Sequence, residues 1–164
     1  MKKNIKTGLR SFKLKEIQLG VIRDYAIVNK LSNQYQYPRI PCFPNCIGAN
    51  LRGVDLTGEN LVGLILRGAD LTGANLFRAN LFAANLSDAK LIDANLSGST
   101  LYGALLVNAN LSGANLSGLD LFAANLSDAN LSGANLRGAD LEDADLSGAI
   151  GADLTGTKGT PRKK

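Results

Sequence analysis

Residues 109–118 read Ala109-Asn110-Leu111-Ser112-Gly113-Ala114-Asn115-Leu116-Ser117-Gly118, one five-residue phrase written twice. Outward from this stretch, leucine occupies every fifth position from Leu51 to Leu146, twenty times without a miss. Take that leucine as the centre of the unit. Alanine stands two residues before it in fifteen of the twenty units, and Asn or Asp one residue before it in sixteen. The residue after the centre is mostly polar or aromatic, and glycine follows two residues after it in twelve units.

Neither regular secondary structure buries such a pattern. An α-helix would rotate successive centres by about 500° and spread them around its axis, and a strand would send alternate leucines to opposite faces. The chain must instead turn once per unit, so that every leucine points at one shared axis. Gly and Asn or Asp suit such turns, because they accept unusual backbone angles or bond their own backbone. The alanine two residues before the centre then also faces inward, and its small size lets the coil close tightly.

The block resembles the pentapeptide-repeat family, abundant in cyanobacteria, and the resemblance covers about 100 of the 164 residues. It implies a right-handed quadrilateral β-helix: four units, hence 20 residues, per coil. The expected fold class is thus an all-β solenoid of about five coils with an N-terminal α-helical cap, roughly 24 Å long at the usual inter-strand spacing. The sequence hints independently at a 20-residue coil. Phe82, Tyr102 and Phe122 are spaced by 20, and Phe-Ala-Ala-Asn-Leu-Ser-Asp-Ala occurs at 82–89 and again at 122–129.

Three segments are expected: a basic capping segment with a Cys/Pro linker over 1–48, the β-helix over 49–157, and a basic disordered tail over 158–164. Stacked repeats need caps, because their end coils expose a core. Leu14, Ile17, Val21, Tyr25 and Val28 have helical spacing, so residues 14–31 read as a helix covering the first coil. Cys42 and Cys46 can form a short disulfide or stay as two thiols. A zinc site needs four ligands, and the chain holds no histidine and no other cysteine. After Leu146 the register breaks, and Ile150 and Leu154 are expected to fold over the last coil.

Charge is divided unevenly. Residues 1–48 hold nine Lys or Arg and two acids, whereas 49–157 hold five and twelve. The basic ends read as solvated termini, not as a nucleic-acid grip, which would need a continuous basic surface with aromatics. No apolar run approaches a bilayer span. The basic start is broken by Lys13, Lys15 and Glu16, so it does not read as a signal peptide, and the cytoplasm is the expected location.

Departures from the consensus are where function can sit. Glu59 takes an inward position in the first coil and is expected to meet Arg or Lys of the N-terminal segment. Leu64, in the same coil, fits the same capping role. Leu119 sits inward in a column with Ser99 and Ala139, and must push the wall out or fill slack left by Ser99. Asp140, Glu142, Asp143 and Asp145 gather in the last coil as a solvated rim, with Ca²⁺ binding the less favoured reading. Outward, Val62, Phe82, Tyr102 and Phe122 form one vertical column. Ile65 and Leu105 replace the usual Asn or Asp around the next corner, and Val107 lies beside them. These seven residues form a candidate partner surface, unless the aromatics serve only to stabilise the stack.

No enzyme is expected. Without histidine, acid–base work would fall to groups on convex walls, and the two cysteines lack a base. No cofactor, metal or small-molecule substrate is expected. The chain reads as a structural or protein-interaction module whose partner is another protein, with monomer and homodimer both open. Membrane binding is disfavoured, and so is nucleic-acid binding. The alternative drawn from the resemblance is a DNA-mimic modulator of DNA gyrase. That reading is weakened by a short, mildly acidic rod.

Overall fold

A computed structural model describes residues 42, 43 and 45–162. The chain divides into Met1–Gln36 and Tyr37–Lys164, and every described residue belongs to the second unit. The helix expected over 14–31 and the cap assigned to residues before Cys42 therefore lie outside the described residues.

The unit around Leu71 shows why five residues repeat. Leu71 N donates to Lys90 O at 2.7 Å, and Gly73 N to Ile92 O at 2.8 Å, both in the next coil. Asn75 N donates to Val54 O at 2.9 Å in the coil before, and Ala74 N closes a turn on Leu71 O at 2.9 Å. The fifth amide, Thr72 N, donates to Asp70 Oδ1 at 3.1 Å. Every N–H in the unit thus has a partner, as backbone in a packed wall requires. Four partners are backbone, and the fifth is the Asn or Asp side chain that the repeat places before most leucines.

Each unit contributes one parallel bridge, and every bridge from Asn45↔Ile65 to Asn130↔Ile150 joins residues 20 apart. A coil is therefore four units, and the coils run 45–64, 65–84, 85–104, 105–124 and 125–144. We number the walls by their centres: the first holds Cys46 and Leu66, the second Leu51, the third Leu56 and the fourth Leu61, with later centres stacked above each. Every centre from Cys46 to Leu141 is buried, and the inward alanines from Ala69 to Ala144 fill the space between them. Removing one such leucine side chain costs about 3 kcal/mol through lost burial and the cavity left behind.

Of its two expected places, Leu119 takes the slack beside Ser99. It is 1% exposed and Ser99 3%, with Ser99 Oγ donating to Leu96 O at 2.6 Å. The wall bond beside it, Asp120 N to Ser99 O at 3.2 Å, is close to the 3.1 Å of Thr100 N to Ala79 O one rung below, so Leu119 leaves the wall in place. Leu64 is buried. Glu59 is half-buried, and the N-terminal segment it was expected to meet is not among the described residues.

The turns need a left-handed backbone at their third residue alone, the pattern of a type II turn. Glycine takes that position most often, but Ala83 (φ 53°) and Ala123 (φ 54°) hold it too. A Cβ there is strained by contact with the backbone.

At the lower end the ladder begins one unit before the first leucine. Cys46 takes a centre position at 0% exposure and is joined to Cys42 by a disulfide. Cys42 and Phe43 pack against the core from below. At the upper end the structure corrects two expectations. Ile150 is 59% and Leu154 40% exposed, so neither folds over the last coil. The segment expected as a disordered tail re-enters the ladder instead, two residues short of a full coil. Asp140 bridges Lys158, Asp143 N donates to Thr160 O at 3.1 Å, and Arg162 N to Ala144 O at 2.8 Å. Gly159 crosses where Leu141 would be followed by another leucine. A Cβ there would lie 2.5 Å from Glu142 N, so only glycine passes.

The turn acceptors carry charge where they are aspartates. The Thr72 hydroxyl beside Asp70, then the Thr72 N–H, lower its pKa to about 2, and Arg52 adds to them from 3.2 Å. Thr72 Oγ1 has no partner of full hydrogen-bond geometry, so it acts on the carboxylate by proximity. Asp55 and Asp153 are lowered in the same way by Thr57 and Thr155.

Three outcomes follow from this architecture. Ala83→Gly and Ala123→Gly should each raise stability by about 0.5 kcal/mol, the relief of strain less the entropy that glycine adds to the unfolded chain; urea midpoints measure it. Reducing the Cys42–Cys46 bridge should cost about 2 kcal/mol on the chain-entropy estimate for so short a loop, read as a lower midpoint in dithiothreitol. A depressed folded-state pKa adds stability that is full above the ordinary 3.8 of Asp70 and is lost as pH falls toward about 2. Asp70→Asn keeps the turn acceptor but cannot titrate. Its melting midpoint should lie below the parent's at pH 7 and meet it near pH 2; parallel curves would refute this.

Candidate functional site

The interior offers no site, since leucine and alanine fill it. What distinguishes one wall from another is the column of residues after each centre. On the third wall the outward chemistry is structural. Asn95 Nδ2 donates to Asn75 Oδ1 at 3.2 Å, and Asn115 and Asn135 continue the amide ladder at 3.4 Å each. Phe77 lies beside it with the Arg78 guanidinium 5.0 Å from its ring centroid.

On the fourth wall the column is apolar. The Phe82 and Tyr102 rings stack at 5.3 Å between centroids and 20° between planes, and Tyr102 and Phe122 at 4.9 Å and 13°. The 20-residue coil causes this directly, because it sets equivalent residues one inter-strand spacing apart. Stacking covers ring faces but not ring edges: Phe82 remains 44% and Tyr102 40% exposed, with Val62 below them at 49%. Around the corner, on the first wall, Ile65 is 40% and Leu105 42% exposed. Phe122 and Val107 are half-buried. The four turns between the columns carry Gly63, Ala83, Gly103 and Ala123 at their outward corner, so no long side chain separates them.

Ile65 and Leu105 also give something up. Their position is the one from which Asn or Asp accepts the outward amide two residues on, as Asn85 Oδ1 does from Ser87 N at 3.0 Å. A hydrocarbon side chain has no acceptor, so the amides of Arg67 and Val107 lose that bond. Such a bond is worth about 1 kcal/mol.

The acidic residues of the last coil are engaged in turn and ladder chemistry. Asp140 Oδ1 accepts Glu142 N at 3.0 Å, Asp145 Oδ1 accepts Ser147 N at 2.9 Å, and Glu142 Oε2 accepts Thr160 N at 2.8 Å. Among the described residues no three His, Cys, Asp or Glu are grouped as a metal site. Among the same residues no helix is long and apolar enough to cross a membrane.

A groove that the repeat pattern does not announce lies at the corner of the third and fourth walls. Its volume is about 380 Å³. Tyr102, Phe122, Asp120 and Asp140 line it, with Gly118 and Gly138 along the floor and Lys158 at its upper end. Gly118 and Gly138 stack there beside the Asp120 and Asp140 column and the last ring of the fourth wall.

The chain matches the sequence pattern of pentapeptide repeats in eight copies, over residues 45–81, 79–118 and 114–158. No curated protein matches it. Among solved structures it is similar to the pentapeptide repeat protein Rfr23 from the cyanobacterium Cyanothece 51142. That likeness has 32% identity and a TM-score of 0.65, and covers 82% of this chain and 99% of that one. A pentapeptide repeat protein from the Arabidopsis thaliana thylakoid lumen shares 34% identity at a TM-score of 0.41, covering 62% and 70%. QnrB1, a plasmid-mediated fluoroquinolone resistance protein, shares 22% at 0.30, covering 70% and 77%. With a 20-residue coil, an Asx acceptor in most turns and a matching repeat across most of its length, the chain belongs to the pentapeptide repeat family, whose members form right-handed β-helices.

Proposed function

We propose that the rod is a non-enzymatic protein-interaction module, and that it binds through the strip formed by Val62, Phe82, Tyr102 and Phe122 with Ile65, Leu105 and Val107. The observation that carries this reading is the exchange at Ile65 and Leu105. Stacked rings stabilise a solenoid by themselves, at about 1 kcal/mol per pair beyond burial. Self-stabilisation does not account for two exposed aliphatic residues at a position where sixteen of the twenty units keep an Asn or Asp acceptor. A continuous exposed apolar patch is the usual mark of an interaction site, and aromatic residues are enriched in such interfaces.

A filled interior and a chain without histidine support the non-enzymatic half of the reading. The gyrase-decoy alternative gains no support from the walls. The carboxylates are spread over all four, and Asp70 and Asp88 are paired with Arg52 and Arg67 at 3.2 Å. The cytoplasmic location expected from the sequence stands in tension with the Cys42–Cys46 disulfide, since such bonds persist mainly in oxidising compartments.

The test is the triple variant Phe82→Ser, Tyr102→Ser, Phe122→Ser, compared with the parent in pulldowns and by light scattering. Loss of captured proteins, or a drop in oligomeric state, is the expected result in a variant that still gives a β-helix circular dichroism spectrum. Unchanged partners and unchanged mass would leave the strip a purely structural feature.

A further inference from the structure

We infer that the partner segment presents an arginine beside apolar residues, its guanidinium seated in the groove at the upper end of the aromatic stack. This rests on the strip being a partner surface, and it names the chemistry of what binds there.

The stack ends at Phe122. Phe82 and Tyr102 cover one another, and Tyr102 covers one face of Phe122. The next residue of that column is Glu142, a carboxylate instead of a ring. The free face of the last ring is therefore the electron-rich surface on which a cation sits, with carboxylate oxygens one rung away. A cation at Tyr102 would meet only the ring's edge, which carries the opposite partial charge, and the lower face of Phe82 looks toward Val62, which offers no carboxylate. The stack thus has a defined cation position at this end.

The groove supplies the matching acceptors. Asp120 and Asp140 belong to one column and bridge across adjacent coils, which sets their carboxylates about 4.8 Å apart along the wall. Asp120 accepts Phe122 N at 3.1 Å on Oδ1 and Thr100 Oγ1 at 3.3 Å on Oδ2. Asp140 uses Oδ1 for Glu142 N, and its Oδ2 accepts no hydrogen bond among the described residues. Both carboxylates line the groove, and Gly118 places nothing within 4 Å of where its side chain would begin. A planar fork of N–H donors fits between stacked carboxylates and an aromatic face better than a compact ammonium does. Lys158 is exposed at the groove's upper end and forms no ion pair with either carboxylate among the described residues.

Charge favours the same occupant. Residues 45–162 carry twelve acids and seven bases, and the acids gather toward the upper coils around this groove. The apolar strip begins at the groove's edge with Phe122 and Tyr102. A segment with arginine in the groove would lay its neighbouring apolar residues along Tyr102, Leu105 and Phe82. The arginine would also fix the segment's position on a strip that otherwise repeats every coil.

The experiment titrates the isotopically labelled full chain with the peptide acetyl-Leu-Arg-Leu-Leu-amide, and with the same peptide carrying citrulline, which keeps the shape and loses the charge. Binding in the millimolar range, about −4 kcal/mol, is expected for so small a probe. Saturable shifts should centre on the amides of Asp120, Phe122, Asp140 and Glu142. The variant Asp120→Asn, Asp140→Asn keeps both turn acceptors and hence the fold, and should weaken binding by roughly tenfold. A control that removes two charges from other walls, Asp55→Asn with Asp70→Asn, should bind as the parent does. Lys158→Ala should bind several-fold more tightly, because it removes the competing cation while its backbone stays in the ladder. No saturable shift, equal binding of the citrulline peptide, or full binding by the Asp120/Asp140 variant would overturn the inference. If the peptide fails while the aromatic-to-serine variant still loses its captured proteins, the strip remains a partner surface and the arginine assignment alone falls.

Discussion

The structure depends on one constraint: each five-residue unit must find partners for five backbone amides inside a wall one strand thick. Two donate to the coil ahead, one to the coil behind, and one closes the turn. The fifth points outward, and no backbone acceptor lies there. In most units an Asn or Asp side chain two residues earlier supplies it, from Asn45 to Asp153. The composition of the repeat follows from this accounting. Leucine fills the axis, alanine lets the walls approach, a left-handed residue closes the turn, and the Asx carboxamide or carboxylate completes the set.

That economy leaves few positions free to vary. Inward positions are fixed by volume, and Leu119 is buried where the column below it carries the smaller Ser99. The residue after each centre is the freest, and the 20-residue coil amplifies whatever stands there. One phenylalanine per coil becomes a stack of rings, and one asparagine per coil becomes an amide ladder. A solenoid thus turns a periodic sequence into a surface with directional chemistry. Arrays stacked in this way are stabilised by nearest neighbours, so a wall can carry an apolar strip without disturbing the wall opposite.

The same geometry explains the two ends. The lower end starts on Cys46, which is small enough to sit at the axis and is tied back to Cys42. The upper end loses two residues and returns as Lys158 to Arg162, with Gly159 passing over Leu141 where a side chain would collide. Both ends keep the hydrogen-bond ladder running beyond the leucines that define it. Unpaired wall edges invite further strand pairing, and a last strand of irregular register limits it.

The sequence by itself determined the coil. A leucine every fifth residue has one physical solution, and Phe82, Tyr102 and Phe122 at intervals of 20 already marked the column that the structure stacks. Ile65 and Leu105 were legible too, because a hydrocarbon where Asn or Asp belongs stands out against a strict pattern. Tertiary structure decided what periodicity does not encode. Cys46 joins the core although it is not leucine, since an axis position asks only for burial. Lys158–Arg162 pair with the wall although the register is broken, since backbone hydrogen bonds ignore side-chain identity. Ile150 stays exposed because its backbone continues the ladder against Asn130 at a position whose side chain points outward. The groove beside Phe122 brings Gly118 and Gly138 together with Asp120 and Asp140 across coils, a coincidence in space between residues that each look ordinary in their own unit.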